Sequence, residues 1–467
     1  MTPGTRDFWF LPLGGCGEIG MNLNLYGHDG HWLMVDCGIT FSRAGEPGPH
    51  IQMPDPRFIA ARRNALTALI VTHAHEDHVG AVAHLWRQLR CSVYTTAFTA
   101  EILKRKLAEA GLVEEVPLHV VQAGSRRQLD VFDVEWVGLT HSTPESQALV
   151  IRTPAGAVFH TGDWKLDDDP VVGPTYPSGR YRALGDESIL AMICDSTNAL
   201  VEGRSNTEGE LYQGLRELVE DAPGRVVVGC FGSNVARLRT LAQVAEDTGR
   251  YAGLLGRSLR NYFSAAVAAG VWDERLSFIE SEHLGYLPRE EVLAIATGSQ
   301  GEPRAALERL ADATHFDLEL EPGDTVLLSS RIIPGNEIPV ATLMRRLRAL
   351  GVRVITDEAC NLPIHASGHP ARDELADMYR WVKPRIAIPV HGEAEHMEAN
   401  AALARSVGVP RQMTGSNGDL FMLAPVPGIR RNAAPVGRLG LEEGKLIGLH
   451  DPGVITPQRS KANEGRG

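Results

Sequence analysis

The stretch 71–78 carries the densest group of chemically active side chains in the sequence. It reads VTHAHEDH and places three histidines and two carboxylates within six residues. The apolar run 65–71 before it is short, partly β-branched and free of Gly and Pro, which is typical of a buried strand. Residues 79–89 after it have helical spacing. Imidazole nitrogens and carboxylate oxygens crowded between a strand and a helix predict a site for one or two divalent transition-metal ions.

Other predicted strands also end in a residue that could bind a metal ion. Because strand ends gather on one rim of a sheet, we expect these residues to converge with stretch 71–78 on one rigid site. The residues that follow such strands are Asp36, His141, Asp163, Asp195 and, near the end of the chain, His391.

The composition is that of an ordinary globular protein. The chain has 467 residues, of which 43% are hydrophobic and 22% charged, and a formal net charge of −12. This charge argues against coating nucleic acid through bulk attraction, but it is compatible with a basic cleft. The cysteines are dispersed without a CxxC pair, and no apolar run approaches the ~20 residues that span a bilayer. We therefore expect a cytoplasmic protein with two or three domains, free thiols and no membrane partner.

The order of predicted elements indicates an inserted domain. The glycine-rich stretch 14–20 is followed by a strand-like alternation rather than a helix, so it predicts a tight turn and not a dinucleotide site. From about residue 208, strand and helix alternate over roughly 150 residues, which predicts a separate α/β domain with a parallel sheet. The pattern of the first two hundred residues, with strands that end in His or Asp, returns near residue 358. We expect the last dozen or so residues to be disordered.

Several sequence blocks make the chain similar to a known family. From about residue 8 to about residue 423 it resembles the β-CASP group of metallo-β-lactamase-fold nucleases, and most closely the ribonuclease J family. The block at 72–81 alone marks only a broad superfamily of hydrolases, whereas the later blocks are much more specific. The matching blocks are PLGGCGEIG at 12–20, THAHEDHVGA at 72–81, HSTPES at 141–146, HTGDWK at 160–165, DSTN at 195–198, TGSQGEP at 297–303, IPGNE at 333–337, HASGH at 365–369 and PVHGE at 389–393.

The resemblance implies the architecture. We expect an α/β protein, with a metallo-β-lactamase αββα sandwich interrupted by an inserted α/β β-CASP domain. The expected boundaries are 1–205 for the first part of the sandwich, 206–357 for the insertion and 358–430 for the second part of the sandwich. A short, partly disordered C-terminal tail would occupy 431–467.

The resemblance also implies a role for each site residue. His73, His75 and His141 would hold one metal ion, Asp77, His78 and His391 would hold a second, and Asp163 would bridge them. Asp36 would orient a ligand from outside. The expected catalytic residues are Asp77, Asp195 and His369, and the expected contacts to substrate phosphate are Ser233, Asn234, His365, Ser367, Gly368 and His369.

The reaction implied is hydrolysis of phosphodiester bonds in single-stranded RNA, for RNA processing or decay. Two divalent ions ~3.5–4 Å apart can share a hydroxide, lower its pKa and stabilise charge on the phosphate. Zn²⁺ is the first expectation and Mn²⁺ the alternative, because His and Asp sites accept both. We expect endonuclease activity together with 5′-to-3′ exonuclease activity, a product with a 5′-phosphate, and His369 as an acid toward the leaving oxygen.

Three differences from the family pattern qualify these expectations. Ala74 stands where the family usually has Gly, but it is not a ligand. Ala236 stands where the family usually has His, within a phosphate-binding stretch at 232–237, which makes exonuclease activity less secure than endonuclease activity. The family usually carries a further C-terminal domain that helps assembly, so we expect a homodimer or monomer rather than a tetramer.

Three other functions compete with this hypothesis. A small-molecule ester, thioester or lactam hydrolase would use the same metal site, but it has no need of the inserted domain. A β-CASP DNA nuclease is a second rival, although His391 fits the RNA-processing members, where relatives that act on DNA tend to have Val. A non-catalytic RNA-binding module would require a broken site, whereas every expected ligand is present.

Overall fold

The computed structural model describes residues 1–42, 48–333 and 335–449. Pro334 of the predicted IPGNE block lies outside the described residues, as do residues 450–467, which include the last dozen that we expected to be disordered. Within the described ranges, no helix is long and apolar enough to cross a membrane.

The first part of the chain is rich in strands. Its strands are β1 Phe8–Gly14, β2 Leu23–His28, β3 His31–Val35, β4 Thr40–Phe41, β5 Ile51–Pro54, β6 Leu66–Ile70, β7 Ser92–Thr95, β8 Leu118–Val120, β9 Arg126–Leu129, β10 Phe132–Gly138, β11 Gln147–Thr153, β12 Gly156–His160 and β13 Ala191–Asp195. Its helices are α1 Arg57–Ala60, α2 Glu76–Val79, α3 Val82–Leu89, α4 Ala97–Glu109 and α5 Ser178–Leu184.

The middle of the chain alternates helix and strand, as predicted. Its elements are α6 Leu211–Glu220, β14 Val226–Gly229, α7 Val235–Asp247, β15 Tyr251–Leu255, α8 Arg257–Ala268, β16 Val292–Ala296, α9 Ala306–Ala311, β17 Thr325–Leu328, α10 Glu337–Ala349 and β18 Arg353–Thr356.

The last part of the chain returns to the first sheets. Its elements are α11 Arg372–Val382, β19 Ile386–Val390, α12 Ala394–Ser406, β20 Arg411–Gln412, β21 Leu420–Ala424, β22 Gly428–Arg430, β23 Arg438–Glu442 and β24 Lys445–Leu449. Short 3₁₀ turns occupy Arg63–Ala65, Ser281–Tyr286, Arg289–Glu291 and Asp357–Ala359.

Two sheets pack face to face and form the sandwich. One has the strand order β22-β21-β1-β2-β3-β6-β7-β8 and the other the order β20-β19-β13-β12-β11-β10-β9. Alternate side chains of both sheets meet in one buried core, for example Phe10 and Ile70 of the first with Ile151 and Ile193 of the second. The outer face of the second sheet packs against α5, α11 and α12, and that of the first against α3 and α4. The layers are therefore helix, sheet, sheet and helix, as expected.

The inserted segment forms a parallel five-stranded sheet of order β15-β16-β14-β17-β18. Short apolar strands such as Val226–Gly229 are buried on both faces, which explains their continuous hydrophobic sequence. The expected parallel sheet is present, but sequence periodicity did not identify its edge strand β15 or the helix α8 that follows. Gly249, Gly253 and Gly256 in and around this strand weaken its β-strand pattern.

Two local predictions were wrong in detail. The single helix expected over 79–89 is two helices, α2 and α3, separated at Gly80 and Ala81, whose backbone N–H donates to the Cys37 carbonyl. The segment after residue 430, where we expected only a short tail, forms the strands β23 and β24. There β23 pairs with both β24 and β5, which extends a small four-stranded sheet.

Candidate metal centre

The predicted donor residues lie at the carboxyl ends of sandwich strands. The loop after β6 carries His73 and His75, and α2 begins directly afterwards, with His75 at its N-cap position. The other donors lie at the end of β3, β10, β12, β13 and β19 or shortly after it, so both sheets contribute to one rim of the sandwich. In that order they are Asp36, His141, Asp163, Asp195 and His391.

A first group of donors consists of His73, His75, His141 and Asp163, whose ligand atoms all lie within 4.8 Å of one another. The Nδ1 atom of His75 lies 3.2 Å from His73 Nε2 and 3.0 Å from His141 Nε2. Two nitrogens that bind one zinc ion at about 2.0–2.1 Å in tetrahedral geometry are about 3.3 Å apart. The spacing of these three imidazoles therefore fits a shared metal ion.

Burial keeps the histidines of this group neutral. It lowers the pKa of His73 and His141 well below the usual histidine value and the pKa of His75 to about 4. A neutral imidazole has a free lone pair, which metal coordination requires. The ionisation state of the group therefore favours binding.

A second group shares Asp163 with the first and adds Asp77, His78 and His391. Asp163 Oδ2 lies 3.1 Å from His78 Nε2 and 3.4 Å from His391 Nε2. Burial acts to raise the pKa of Asp163, but His391 and His78 outweigh it, so the pKa lies well below its usual value. One buried carboxylate thus stands between two sets of imidazoles, which is the arrangement needed to bridge two cations.

Hydrogen bonds from outside orient the rings of both groups. Asp36 Oδ2 accepts from His78 Nδ1 at 2.8 Å, and the Gly368 carbonyl accepts from His141 Nδ1 at 2.6 Å. Each bond places a proton on Nδ1, so in the neutral ring the lone pair lies on the Nε2 atom that faces the other donors. Asp36 itself is completely buried and is held by the backbone N–H of Thr72 at 2.8 Å.

Asn22 belongs to this outer set, and sequence reasoning missed it. Its Oδ1 lies 3.1 Å from His391 Nδ1, and its Nδ2 lies 3.0 Å from His78 Nε2 and 3.1 Å from the Asp77 carbonyl oxygen. The residue closes the block GEIGMN, which we interpreted only as a turn leading into a strand. No local pattern indicated that its amide meets ligands from positions 77, 78 and 391.

Asp195 and His369 form a pair beside the two groups. Asp195 Oδ2 accepts from His369 Nδ1 at 2.7 Å, while Oδ1 accepts from the backbone N–H of Thr197 at 2.9 Å. Burial acts to lower the pKa of His369, but Asp195 outweighs it and raises the pKa to about 9. His369 is therefore a cation at neutral pH, and its Nδ1 lies 4.0 Å from Asp163.

The segment before His369 packs directly on the first group. A Cβ added to Gly368 would lie 2.7 Å from the His141 ring, so only glycine fits there. Ser367 Oγ accepts from the backbone N–H of His369 at 3.2 Å. His365 lies earlier in the same segment. Burial lowers the pKa of His365 to about 3, and the nearby Arg237 acts in the same direction.

The structure uses the other two predicted phosphate contacts differently. Asn234 is buried; its Oδ1 caps α7 by accepting from the backbone N–H of Arg237 at 2.9 Å, and its Nδ2 donates to Glu208 at 3.1 Å. Ser233 is half-buried in the turn before it. Phosphate contact by either residue stays a prediction.

Comparison with known proteins identifies the family. The model for "Ribonuclease J, beta-CASP domain" matches residues 223–347, the model for "Metallo-beta-lactamase superfamily" matches 21–188, and that for "Zn-dependent metallo-hydrolase RNA specificity domain" matches 363–413. The chain is 46% identical over 447 residues to Ribonuclease J of Sinorhizobium meliloti, covering 95% of this chain and 79% of that protein. The chain belongs to the ribonuclease J family.

Other relatives agree with this assignment. Ribonuclease J of Mycobacterium tuberculosis is 37% identical, with 95% of this chain and 79% of that protein covered. Ribonuclease J of Thermus thermophilus is 34% identical, with 97% and 80% covered. A crystal structure of a protein of unknown function from Enterococcus faecalis V583 has the same fold, with a TM-score of 0.60, 15% identity, and 89% of this chain and all of that chain covered. The expected metallo-β-lactamase domain with a β-CASP insertion is thus confirmed.

The two residues that depart from the ribonuclease J pattern, Ala74 and Ala236, are both buried. Ala74 is fully buried between His73 and His75, where its methyl group leaves both ligands in place. Ala236 is 5% exposed on α7 and precedes Arg237, which is completely buried and donates to Glu208 at 3.2 Å. Within the stretch 232–237, the side chains of Ala236 and Arg237 are therefore both shielded from solvent.

Proposed function

We propose that the protein is a metal-dependent ribonuclease that hydrolyses phosphodiester bonds of single-stranded RNA. The observation that carries the proposal is the pair of donor groups that share Asp163, built in a chain of the ribonuclease J family. Two bound divalent cations would lower the pKa of an attacking water and stabilise charge on the phosphate. The side chains of the protein would hold the metal ions, bind the phosphate and transfer the proton to the leaving group.

Each of the two donor groups would hold one metal ion. His73, His75 and His141 would hold one ion, and Asp77, His78 and His391 the other, with Asp163 shared. Zn²⁺ is the proposed metal because most donors are imidazole nitrogens, and Mn²⁺ is the alternative that this set also accepts.

Asp195 and His369 would handle the proton of the leaving group. Asp195 holds the Nδ1 proton of His369 and raises the pKa of the ring to about 9, which leaves a second proton on Nε2. That proton can be donated to the oxygen that leaves phosphorus. The cation would also attract the scissile phosphate, together with the neighbouring Ser367 and Gly368.

With the proposed domain limits, the insertion would cover a groove for the substrate. The insertion at 206–357 separates the two parts of the sandwich, and the segment with His365 and His369 returns from it to the metal centre. A long polymer needs such a covered groove, whereas a small ester does not. This distinction favours RNA over a small-molecule substrate, and family membership favours RNA over DNA.

A comparison of substrates tests the proposal. The protein, loaded with Zn²⁺ or Mn²⁺, would be assayed on labelled single-stranded RNA, on DNA of the same sequence and on a p-nitrophenyl ester. We expect cleavage of RNA, its loss in His78→Ala, and full activity in the control His283→Ala, whose side chain is 62% exposed in the insertion. Ester turnover without RNA cleavage under either metal would contradict the proposal.

The balance between endonuclease and 5′-to-3′ exonuclease activity needs a separate comparison. We propose that endonuclease activity dominates, because Ala236 replaces the family's histidine and Asn234 is engaged with Glu208. RNA with a 5′-monophosphate and RNA with a 5′-hydroxyl should then be cleaved at similar rates. A strong preference for the monophosphate would contradict this proposal.

We propose a homodimer or monomer in solution, which light scattering would measure.

A further inference from the structure

Tyr262 connects the inserted domain to the loop that carries the first metal ligands. It lies on α8, and its hydroxyl donates a hydrogen bond of 2.8 Å to the carbonyl oxygen of Ala74. Ala74 is the residue between His73 and His75, 188 residues before Tyr262 in the chain. Both partners are buried, with Tyr262 7% exposed and Ala74 fully covered.

The surrounding contacts fix the position of this hydroxyl. The Tyr262 ring packs against Phe98 of α4, with ring centroids 6.3 Å apart. Next to it, the Arg105 guanidinium donates to the Asn261 carbonyl at 2.5 Å and to Ser264 Oγ at 2.6 Å, which joins α4 to α8. The tyrosine therefore reaches the ligand loop from a helix that is itself held in place.

The peptide that receives the bond controls two ligands at once. The orientation of the Ala74 carbonyl sets the backbone direction on both sides, and hence where His73 and His75 point. These two rings lie with Nε2 and Nδ1 3.2 Å apart, a spacing that a rotation of the peptide would change. A buried carbonyl without a hydrogen-bond partner costs free energy, so the Tyr262 hydroxyl stabilises this orientation of the Ala74 peptide.

We propose that Tyr262 is a positioning residue for the first metal site, supplied by the inserted domain. The inference rests on the proposed metal-dependent function and adds that the insertion helps to build the metal centre as well as to cover it. Tyr262→Phe keeps the ring and its packing and removes only the hydroxyl. Loss of a partner that orients a metal ligand typically weakens metal binding by about 10-fold to 100-fold.

Two variants, each with one metal site disrupted, allow the affinity of the other site to be measured. His391→Ala leaves the first group complete, and His75→Ala leaves Asp77, His78, Asp163 and His391 complete. Zn²⁺ affinity would be measured by competition with a chromophoric chelator, with and without Tyr262→Phe. We expect affinity about 10-fold weaker in the His391→Ala background and unchanged in the His75→Ala background.

Two control variants test whether the hydroxyl itself is responsible. Arg105→Ala loosens the same contact between α4 and α8 without touching Ala74. Tyr181→Phe removes another hydroxyl bonded to a backbone carbonyl, that of Gly138 at 2.5 Å. Both should leave the first-site affinity within about twofold. Circular dichroism and thermal unfolding would establish that all variants fold.

Three results would overturn the inference. The first is unchanged Zn²⁺ affinity of the first site in Tyr262→Phe, and the second is an equal loss of affinity in both backgrounds. The third is a loss in Arg105→Ala as large as in Tyr262→Phe. Failure of the proposed function has a different signature, because the unmodified chain would then bind no Zn²⁺ or would bind it without cleaving RNA.

Discussion

Asp36→Asn tests how the chain orients a metal ligand without touching the metal. The backbone at Asp36 has φ of +64°, a left-handed conformation that Asn also adopts readily, so shape and backbone are preserved. In the native site, Oδ1 accepts from Thr72 N and Oδ2 from His78 Nδ1, both at 2.8 Å. An amide has only one oxygen, so its NH₂ group must face one of these two donors.

Either orientation of the amide has a cost. If NH₂ faces His78, the ring proton moves to Nε2, the atom 3.1 Å from Asp163, and the lone pair for the metal is lost. If NH₂ faces Thr72, a buried backbone N–H loses its partner, at a cost of about 1–3 kcal/mol. We expect Zn²⁺ binding at the second site to weaken by about 10-fold to 100-fold, or about 1.4–2.7 kcal/mol.

The assay is Zn²⁺ competition with a chelator in the His75→Ala background, followed by the rate of RNA cleavage in the otherwise native chain. Asp324→Asn is the matched control: this aspartate is also completely buried, and it accepts from the backbone N–H of Arg225 in the insertion. It should lower stability but leave Zn²⁺ affinity intact. Native affinity and native cleavage in Asp36→Asn would refute the reasoning.

Two further predictions concern stability. Arg237→Met should destabilise the protein to urea by about 3–5 kcal/mol, because it leaves the buried Glu208 carboxylate without its positively charged partner. Adding Glu208→Gln should restore part of this loss, and a loss under about 1 kcal/mol would contradict the prediction. Burial raises the pKa of Glu135, but Arg180 and Arg152 outweigh it and lower the pKa. The stabilisation by Glu135 is then complete above its unfolded pKa of about 4.3 and disappears as pH falls through the folded pKa. The deficit of Glu135→Gln in urea unfolding, about 1 kcal/mol at neutral pH, should therefore vanish in acid; a constant deficit would contradict it.

Local patterns predicted the elements whose signals are local. The apolar run before His73 is β6, and the alternation after residue 208 is the parallel sheet. The β23–β24 hairpin was missed although its own pairing is local, with Glu442 opposite Lys445. The pairing of β23 with β5 is not local, because its partners are almost four hundred positions apart in the chain, as in the pair Gly440 and Gln52. Such pairing leaves little trace in either segment alone, since its stabilisation comes from contacts that exist only after folding.

Some residues of the site were evident from a local pattern in the sequence, and others were not. His73, His75, Asp77 and His78 were evident because four donor residues crowd into one short stretch after a strand. Asn22 and Tyr262 were not, because an amide inside a turn motif and a tyrosine on an amphipathic helix are both ordinary in sequence. Their importance comes from what they contact, His391 in one case and Ala74 in the other.

By itself, the sequence determined which donor chemistries are present and where each lies along a strand or helix, because side-chain type and backbone periodicity are local properties. Only the tertiary structure decided which atoms meet. Packing of the two sheets brings Asp163 between His78 and His391. The hydrogen bond from His78 Nδ1 to Asp36 leaves Nε2 as the nitrogen that faces Asp163. Distance, burial and the position of a single proton depend on the whole fold, and these are the quantities that turn donors into a metal centre.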